Sequence, residues 1–390
     1  MSLELTLLFF LLPIAFLSGW WIGRRNRRQP EKHSEAFSSG YFKGLNYLLN
    51  EQQDKAIDVF VQMLEVDSET VETHLALGNL FRRRGEGDRA IRIHQNLIAR
   101  PTLSKDQRAR ALLELGQDYL RAGMLGRAEA LFLELMEQGL YQQDALQRLL
   151  DIYQQEKEWS KAIEAAKRIE RNGGQRMGVL ISHFYCEQAE AWRQKGDIKP
   201  ALKCIKQALV ANKNAVRASL LKAKIEQQMG RHKLAIKTLS QVEQQDADFI
   251  PEAVPLLLRS YEALGQNHKG ERYLRHLLQR YGGITPLLAV VDLVQEEQGE
   301  RAAAELVIKY LRERPSVRGL DKLIELQLES GQGELQENLL ILKELADKLL
   351  QEKTPYRCRN CGFGSKALCW QCPGCKQWNS IRPVQGVSGE

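Results

Sequence analysis

The stretch Leu77-Gly78-Asn79-Leu80-Phe81, followed by the turn at Gly85 and by Asp88-Arg89-Ala90-Ile91-Arg92-Ile93-His94-Gln95, decides the fold. Its apolar residues recur at helical steps on both sides of a glycine, which reads as two antiparallel helices joined by a short turn. Small residues let the two helices approach, and an aromatic fills the gap they leave. Outward from this hairpin the small position recurs at Ala56, Ala90, Ala128, Ala162, Ala201 and Ala235, at spacings of 34, 38, 34, 39 and 34 residues. Gly270 and Ala304 continue the series at 35 and 34. Turn glycines precede it by five residues at Gly85, Gly123, Gly196, Gly230, Gly265 and Gly299, and aromatics precede it by nine at Tyr47, Phe81, Tyr119, Tyr153, Trp192 and Tyr261. Four residues after it stands a large apolar group at Phe60, Phe132, Ile205, Leu239 and Leu274, while Gly44, Gly78 and Gly116 mark further close helix contacts.

A self-similar helical pair at this period resembles the tetratricopeptide repeat. The pattern runs over residues 37–352 as about eight or nine units, with weaker matches near Asp246 and Tyr281 and a cap around Gly331. The fold expected is all-α, a superhelix in which each unit buries its apolar face only against its neighbours and leaves a long concave surface. Such a surface suits an extended segment or a helix of another protein; a plain spacer is the alternative, but a spacer needs no such regularity.

Residues 1–22 read as a transmembrane anchor. Leu3 to Ile22 is about 20 residues long and mostly apolar, enough as a helix to cross roughly 30 Å of hydrocarbon. Trp20 and Trp21 stand where an interfacial aromatic belt belongs, and Pro13 introduces a kink that membrane helices tolerate. A cleavable signal would carry its charge before the apolar run and end in a small-x-small site, whereas here Arg24, Arg25, Arg27 and Arg28 follow it. The positive-inside rule then puts the basic linker, 23–36, and everything after it in the cytoplasm.

Residues 353–390 form the last segment, and it carries the most specific chemistry. Cys358-Arg359-Asn360-Cys361 and Cys372-Pro373-Gly374-Cys375 are two Cys-x2-Cys turns that can bring four thiolates into a tetrahedron. Cys369 offers a competing pair with Cys372, but that pairing strands Cys375, so Cys369 reads as a packed free thiol beside Trp370. The ligand set is therefore Cys358, Cys361, Cys372 and Cys375, with Zn2+ as the expected ion and iron as the alternative, because the paired knuckles resemble rubredoxin. A closed site on so short a segment suits zinc, which is redox-inert and contributes folding energy to a small module.

Composition excludes other classes. Among 390 residues, 43% apolar and 27% charged rules out wholesale disorder. The net charge of +7 is concentrated in the arginine cluster and in six Lys or Arg residues between Lys353 and Arg382, so the middle is slightly acidic and presents no long basic face for nucleic acid. The six basic residues keep a nucleic-acid-binding ribbon open, but docking onto the acidic array or another protein accounts for them better. Trp370 and Trp378 are expected in the core of the small module. His74, His94, His183, His232, His268 and His276 form no His-Glu-x-x-His pattern, and neither a phosphate loop nor a Gly-x-Ser-x-Gly elbow occurs, so no enzymatic role is expected. His183, beside Tyr185 and Cys186, reads as packing.

An apolar leader, an arginine-marked linker, a repeat array and a rubredoxin-like end, in that order, resemble the lipopolysaccharide assembly protein B family. The likeness is carried by Leu77 to Phe81, by Asp88 to Gln95, and by Ser182-His183-Phe184-Tyr185-Cys186-Glu187. Tyr356 to Phe363, Trp370, Cys372-Pro373, Trp378 and Ile381-Arg382-Pro383 complete it, while Cys369 departs from what the family leads one to expect. The resemblance implies a non-enzymatic adaptor of the bacterial inner membrane, its N-terminus periplasmic and its bulk cytoplasmic. It implies regulation of lipopolysaccharide synthesis by helping the membrane protease FtsH degrade the deacetylase LpxC, opposed by a sensor of the PbgA/YejM type, and leaves a homodimer open.

Overall fold

The turns expected from the sequence are where the chain reverses. Gly85, Gly123, Gly196, Gly230, Gly265 and Gly299 all have φ between +61° and +87°, the left-handed region that glycine enters without steric cost. Beyond the first five of these, the next amide reaches back five residues to a helix carbonyl: Glu86 to Phe81, Met124 to Tyr119, Asp197 to Trp192, Arg231 to Glu226 and Gln266 to Tyr261, at 2.8–3.0 Å. This closes each first helix with a Schellman motif. In the repeat that lacks the glycine, Lys157 adopts the same conformation at φ +59°, and Glu158 donates to the Tyr153 carbonyl at 2.9 Å.

The computed structural model describes residues 71–101, 103–330, 334–351, 353–387 and 389–390, together with positions 20, 21, 42–44, 46, 47, 50, 52, 55 and 59. Two compact units result, residues 1–148 and residues 149–390. The first contains α1 (Val71–Arg83), α2 (Gly87–Ile98), α3 (Lys105–Arg121), α4 (Leu125–Gln138) and the start of α5 (Gln142–Gln155). Helices α1 and α2 form one hairpin and α3 and α4 the next, with α3 lying against both α1 and α2. A Cβ on Gly78 would fall 2.3 Å from His94 Nε2, and one on Gly116 2.6 Å from Phe132 Cε1, so both glycines are required by close helix approach. His94 occupies the position that Phe132 fills one repeat later. It is fully buried, and its Nδ1 lies 2.5 Å from Asp118 Oδ2, whose second oxygen accepts from Arg82 Nη1 at 2.9 Å.

The second unit continues with α6 (Trp159–Arg171), α7 (Gly178–Gln194), α8 (Ile198–Ala211), α9 (Val216–Gln228), α10 (His232–Leu239), α11 (Val242–Gln245) and a 3-10 turn at Ala247–Phe249. Then come α12 (Ile250–Ala263), α13 (Asn267–Tyr281), α14 (Ile284–Gln298), α15 (Glu300–Glu313), α16 (Val317–Ser330) and α17 (Glu334–Gln351). Hairpins α7/α8, α9/α10, α12/α13, α14/α15 and α16/α17 stack so that the first helices α7, α9, α12, α14 and α16 are successive neighbours. The fold class is thus the expected one, helical repeats of tetratricopeptide type with a small terminal sheet. Ala90, Ala128, Ala162, Ala201 and Ala235 are all fully buried at the fourth residue of their helices. Each fully buried Leu or Phe packed around them contributes about 1.5–3 kcal/mol through burial.

Two register expectations are corrected. Ala304 is only half-buried, and Ala303 takes the fully buried place. The reason is local: Gly299 ends α14 and also caps α15, so α15 starts one residue after its turn glycine rather than two, and the fourth helical position arrives one residue sooner. Trp192 does not fill the gap beside Ala201 but lies on the surface with the Lys195 ammonium 5.1 Å from its ring centre; Cys186 and Ala189 pack against Ala201 instead. Ala56 and Phe60, the linker 23–36 and all of Leu3 to Ile22 except the exposed Trp20 and Trp21 lie outside the described residues. Among the described residues no helix is long and apolar enough to cross a membrane.

Candidate metal centre and its docking face

Only three residues separate Leu350-Gln351-Glu352 from the first strand of the terminal module, β1 (Tyr356–Cys358). With β2 (Gly364–Ser365) and β3 (Ile381–Pro383) it makes an antiparallel sheet in the order β2-β1-β3, with Tyr356 opposite both Ser365 and Pro383. The two cysteine turns are built alike. In the first, Gly362 N donates to Cys358 O at 3.0 Å and Cys358 N to Phe363 O at 2.8 Å; in the second, Lys376 N donates to Cys372 O and Cys372 N to Gln377 O, both at 2.9 Å. Gly362 and Lys376 occupy equivalent places and both are left-handed, at φ +76° and +60°.

These turns bring together all four expected ligands. The Sγ atoms of Cys358, Cys361, Cys372 and Cys375 lie within 4.8 Å of one another, with 3.7 Å between Cys358 and Cys375 and 3.6 Å between Cys361 and Cys372. A tetrahedron with metal–sulfur bonds of about 2.3 Å has edges of about 3.8 Å, so the four sulfurs fit a four-coordinate ion. The Ser380 hydroxyl, 3.3 Å from Cys358 Sγ, leads the causes that hold that thiol down to about 6, followed by the amides of Cys361 and Asn360. Asn360 and the Gln377 amide lower Cys375; at Cys361 the Phe363 amide is outweighed by burial and the neighbouring sulfurs, which push it up to about 11. Crowded sulfurs cannot all ionise without a cation among them. Cys369 is a half-buried free thiol outside the four-sulfur cluster, packed against its core of Cys358, Cys372 and Ile381.

The module does not stand apart from the helices of its unit. Trp378 and Trp370, expected inside it, face outward onto the array. Trp378 stacks on His183 at 5.1 Å between ring centres, meets Phe184 and Trp159 edge-on at 5.8 and 6.2 Å, and donates from Nε1 to Gln154 Oε1 at 2.9 Å. Trp370 stacks on Phe249 at 5.2 Å, and the Arg382 guanidinium lies 4.6 Å from the centre of the same Phe249 ring. Arg382 pairs with Asp246, Arg359 Nη2 donates to Asp248 Oδ2 at 2.7 Å, and the Tyr356 hydroxyl donates to Glu252. Burial and the Glu252 carboxylate together raise Tyr356 well above the usual phenol range. Of the six basic residues between Lys353 and Arg382, Arg359 and Arg382 thus meet acids of the array.

A return strap completes the clamp. Val317 N donates to Val387 O at 2.8 Å, and the Glu390 carboxylate accepts from Thr285 N at 3.0 Å, Thr285 Oγ1 at 2.6 Å and Arg318 Nη1 at 2.6 Å. This places a negative charge at the start of α14, where the helix dipole favours it.

Sequence reasoning missed the array's half of this face: Gln154, Trp159, Arg217, Asp246, Asp248, Phe249 and Glu252. These residues come from five separate elements and show no spacing in common. Three further residues of the face stand in the Ser182 to Glu187 stretch that carried the family likeness: His183 and Phe184 receive Trp378, while Glu187 accepts from Arg217 Nη2 at 2.8 Å and so holds that guanidinium beside Trp378. His183 is buried and its pKa is held down to about 3, first by desolvation and then by Arg217 and Arg382.

The rubredoxin metal binding domain family matches residues 356–383. The chain is 38% identical over 388 residues to lipopolysaccharide assembly protein B of Escherichia coli K12, covering 99% of this chain and 100% of that one. It is 35% identical over 389 residues to the protein of the same name from Haemophilus influenzae Rd, covering 97% and 98%. Among solved structures, a tetratricopeptide repeat protein from Parabacteroides merdae aligns at 14% identity with a TM-score of 0.32, over 66% of this chain and 99% of that one. Naa15/Naa10 bound to HypK aligns at 12% identity with a TM-score of 0.42, over 81% and 52%. Identity at this level across the full length of both chains places this protein in the lipopolysaccharide assembly protein B family.

Proposed function

We propose that this protein is a non-enzymatic adaptor in lipopolysaccharide assembly, anchored in the bacterial inner membrane by Leu3 to Ile22 with its bulk on the cytoplasmic side. The observation that carries this reading is the end-to-end kinship with two proteins named for lipopolysaccharide assembly. In the finer form of the proposal the array holds LpxC beside FtsH, promotes its degradation, and answers to a PbgA/YejM-type sensor through the membrane segment. Confinement of client and protease to one complex suffices physically, because tethering raises effective concentration to about the millimolar range without new chemistry. Cys358, Cys361, Cys372 and Cys375 hold Zn2+, whose contribution is architectural: a redox-inert centre for a module whose buried core is largely its own ligands.

The test is Cys372→Ser in cells. The expected outcome is loss of metal from the purified chain together with accumulation of LpxC, measured by immunoblot after translation is stopped. Metal loss with normal LpxC turnover overturns the adaptor mechanism. Visible absorbance of the purified native protein separates the ions, since an iron–sulfur centre is red and zinc colourless.

A further inference from the structure

The face that the terminal module covers has the composition of a segment-binding site. Its aromatic floor is Trp159, Phe184 and Phe249, and its acids are Asp246, Asp248 and Glu252. The module meets it through Trp370 and Trp378 on the floor, Arg359 and Arg382 on two of the acids, and the Tyr356 hydroxyl on Glu252.

The occupant is not a perfect complement. His183 Nδ1 and Arg217 Nη1 are both buried in this interface without a hydrogen-bond partner, and the His183 side chain is only 4% exposed. Buried polar atoms are nearly always satisfied, so two orphans within one contact mark places where a different occupant would supply acceptors or a donor. The module's grip also depends on its metal. Its sheet consists of strands of three, two and three residues, and its buried core is Cys358, Cys372 and Ile381. A module this small has no other core to keep the two tryptophans and two arginines on one side. Cys361 is exposed, which leaves the ion's site open to solvent on that side.

We propose that this face of α7, α9 and the Asp246–Glu252 segment is a binding site for an arginine- and tryptophan-bearing segment of another protein, occupied in cis by the metal-held module. Release of the metal dissolves the module's presenting surface and opens the site, and return of the metal closes it. This reaches beyond the adaptor proposal and does not depend on which client the array serves.

The experiment uses the full chain in detergent micelles and a fluorescein-labelled peptide spanning residues 368–384 with its three cysteines replaced by serine, which retains Trp370, Trp378 and Arg382. Fluorescence anisotropy is read on zinc-loaded chain, on chain stripped by a chelator under reducing conditions, and on a zinc-loaded Trp378→Ala/Arg382→Ala variant, which loosens docking while leaving all four sulfurs in place. The peptide should bind the stripped chain and the double variant at least about ten-fold more tightly than the zinc-loaded native chain, where a tethered competitor holds the site. Asp246→Asn/Asp248→Asn introduced into the stripped chain should abolish that gain. Equal affinity for native and stripped chain overturns the proposal. So does binding to the stripped chain alone, because the peptide is then associating with an unfolded module rather than with the uncovered face. No deacetylase or protease is present, so the result stands apart from the outcome of the LpxC turnover test.

Discussion

Lys157 stands where six other repeats place glycine, and it takes φ +59° because the hairpin geometry demands it. A left-handed L-residue costs roughly 1–2 kcal/mol, of which glycine returns part through its greater freedom in the unfolded chain. Lys157→Gly is therefore expected to stabilise the second unit by about 0.5–1 kcal/mol, seen as a higher urea midpoint at unchanged slope. A lower midpoint would mean that the Lys157 side chain contributes more than its backbone costs. The same scale shows how far single positions were legible. The glycines were found because their φ is dictated by a turn that repeats. The exchange of Phe132 for His94 at one repeat position could be seen in the sequence, but not that His94 is sustained by Asp118, which lies 24 residues on in a neighbouring helix.

At the scale of elements, helix pairs are legible because their apolar period and turns are local properties. Their exact register is less so, as Ala303 in place of Ala304 shows: α15 starts one residue after Gly299 instead of two, which shifts its whole inward face. Docking of the terminal module onto α7 is an element-level event with a titratable group at its centre. His183 has a pKa near 3 when covered and the ordinary imidazole value of about 6.5 when free. Its depressed pKa means that the covered state excludes the proton, so the stability it confers is complete above pH 6.5 and declines as pH falls toward 3. Between pH 6.5 and 4.5 the loss amounts to about 2–3 kcal/mol. His183→Phe keeps a ring against Trp378 and removes the titration. Urea unfolding followed by tryptophan fluorescence should show native stability falling relative to His183→Phe over that range; parallel curves would exclude His183 as the source.

For the whole molecule, removal of the metal is expected to act locally. The repeats bury their cores against one another, whereas the terminal module relies on its sulfurs. Chelation under reducing conditions should leave the helical circular dichroism nearly unchanged while trypsin gains access after Arg357, Arg359, Lys366 and Lys376. Loss of helix in step with the metal would show instead that the module supports the array.

By itself the sequence determined the repeat period, the turn positions, the four sulfur ligands and the family, because each of these is written in spacing along the chain. Only the tertiary structure decided that Trp370 and Trp378 leave the module's interior for the array, and that Asp246, Asp248, Phe249, Arg217 and Gln154 receive the module. Those contacts join residues up to 224 positions apart. Their partners are chosen by which surfaces the stacked hairpins and the metal-bound turns happen to present to each other, a property of the assembled fold that no local pattern encodes.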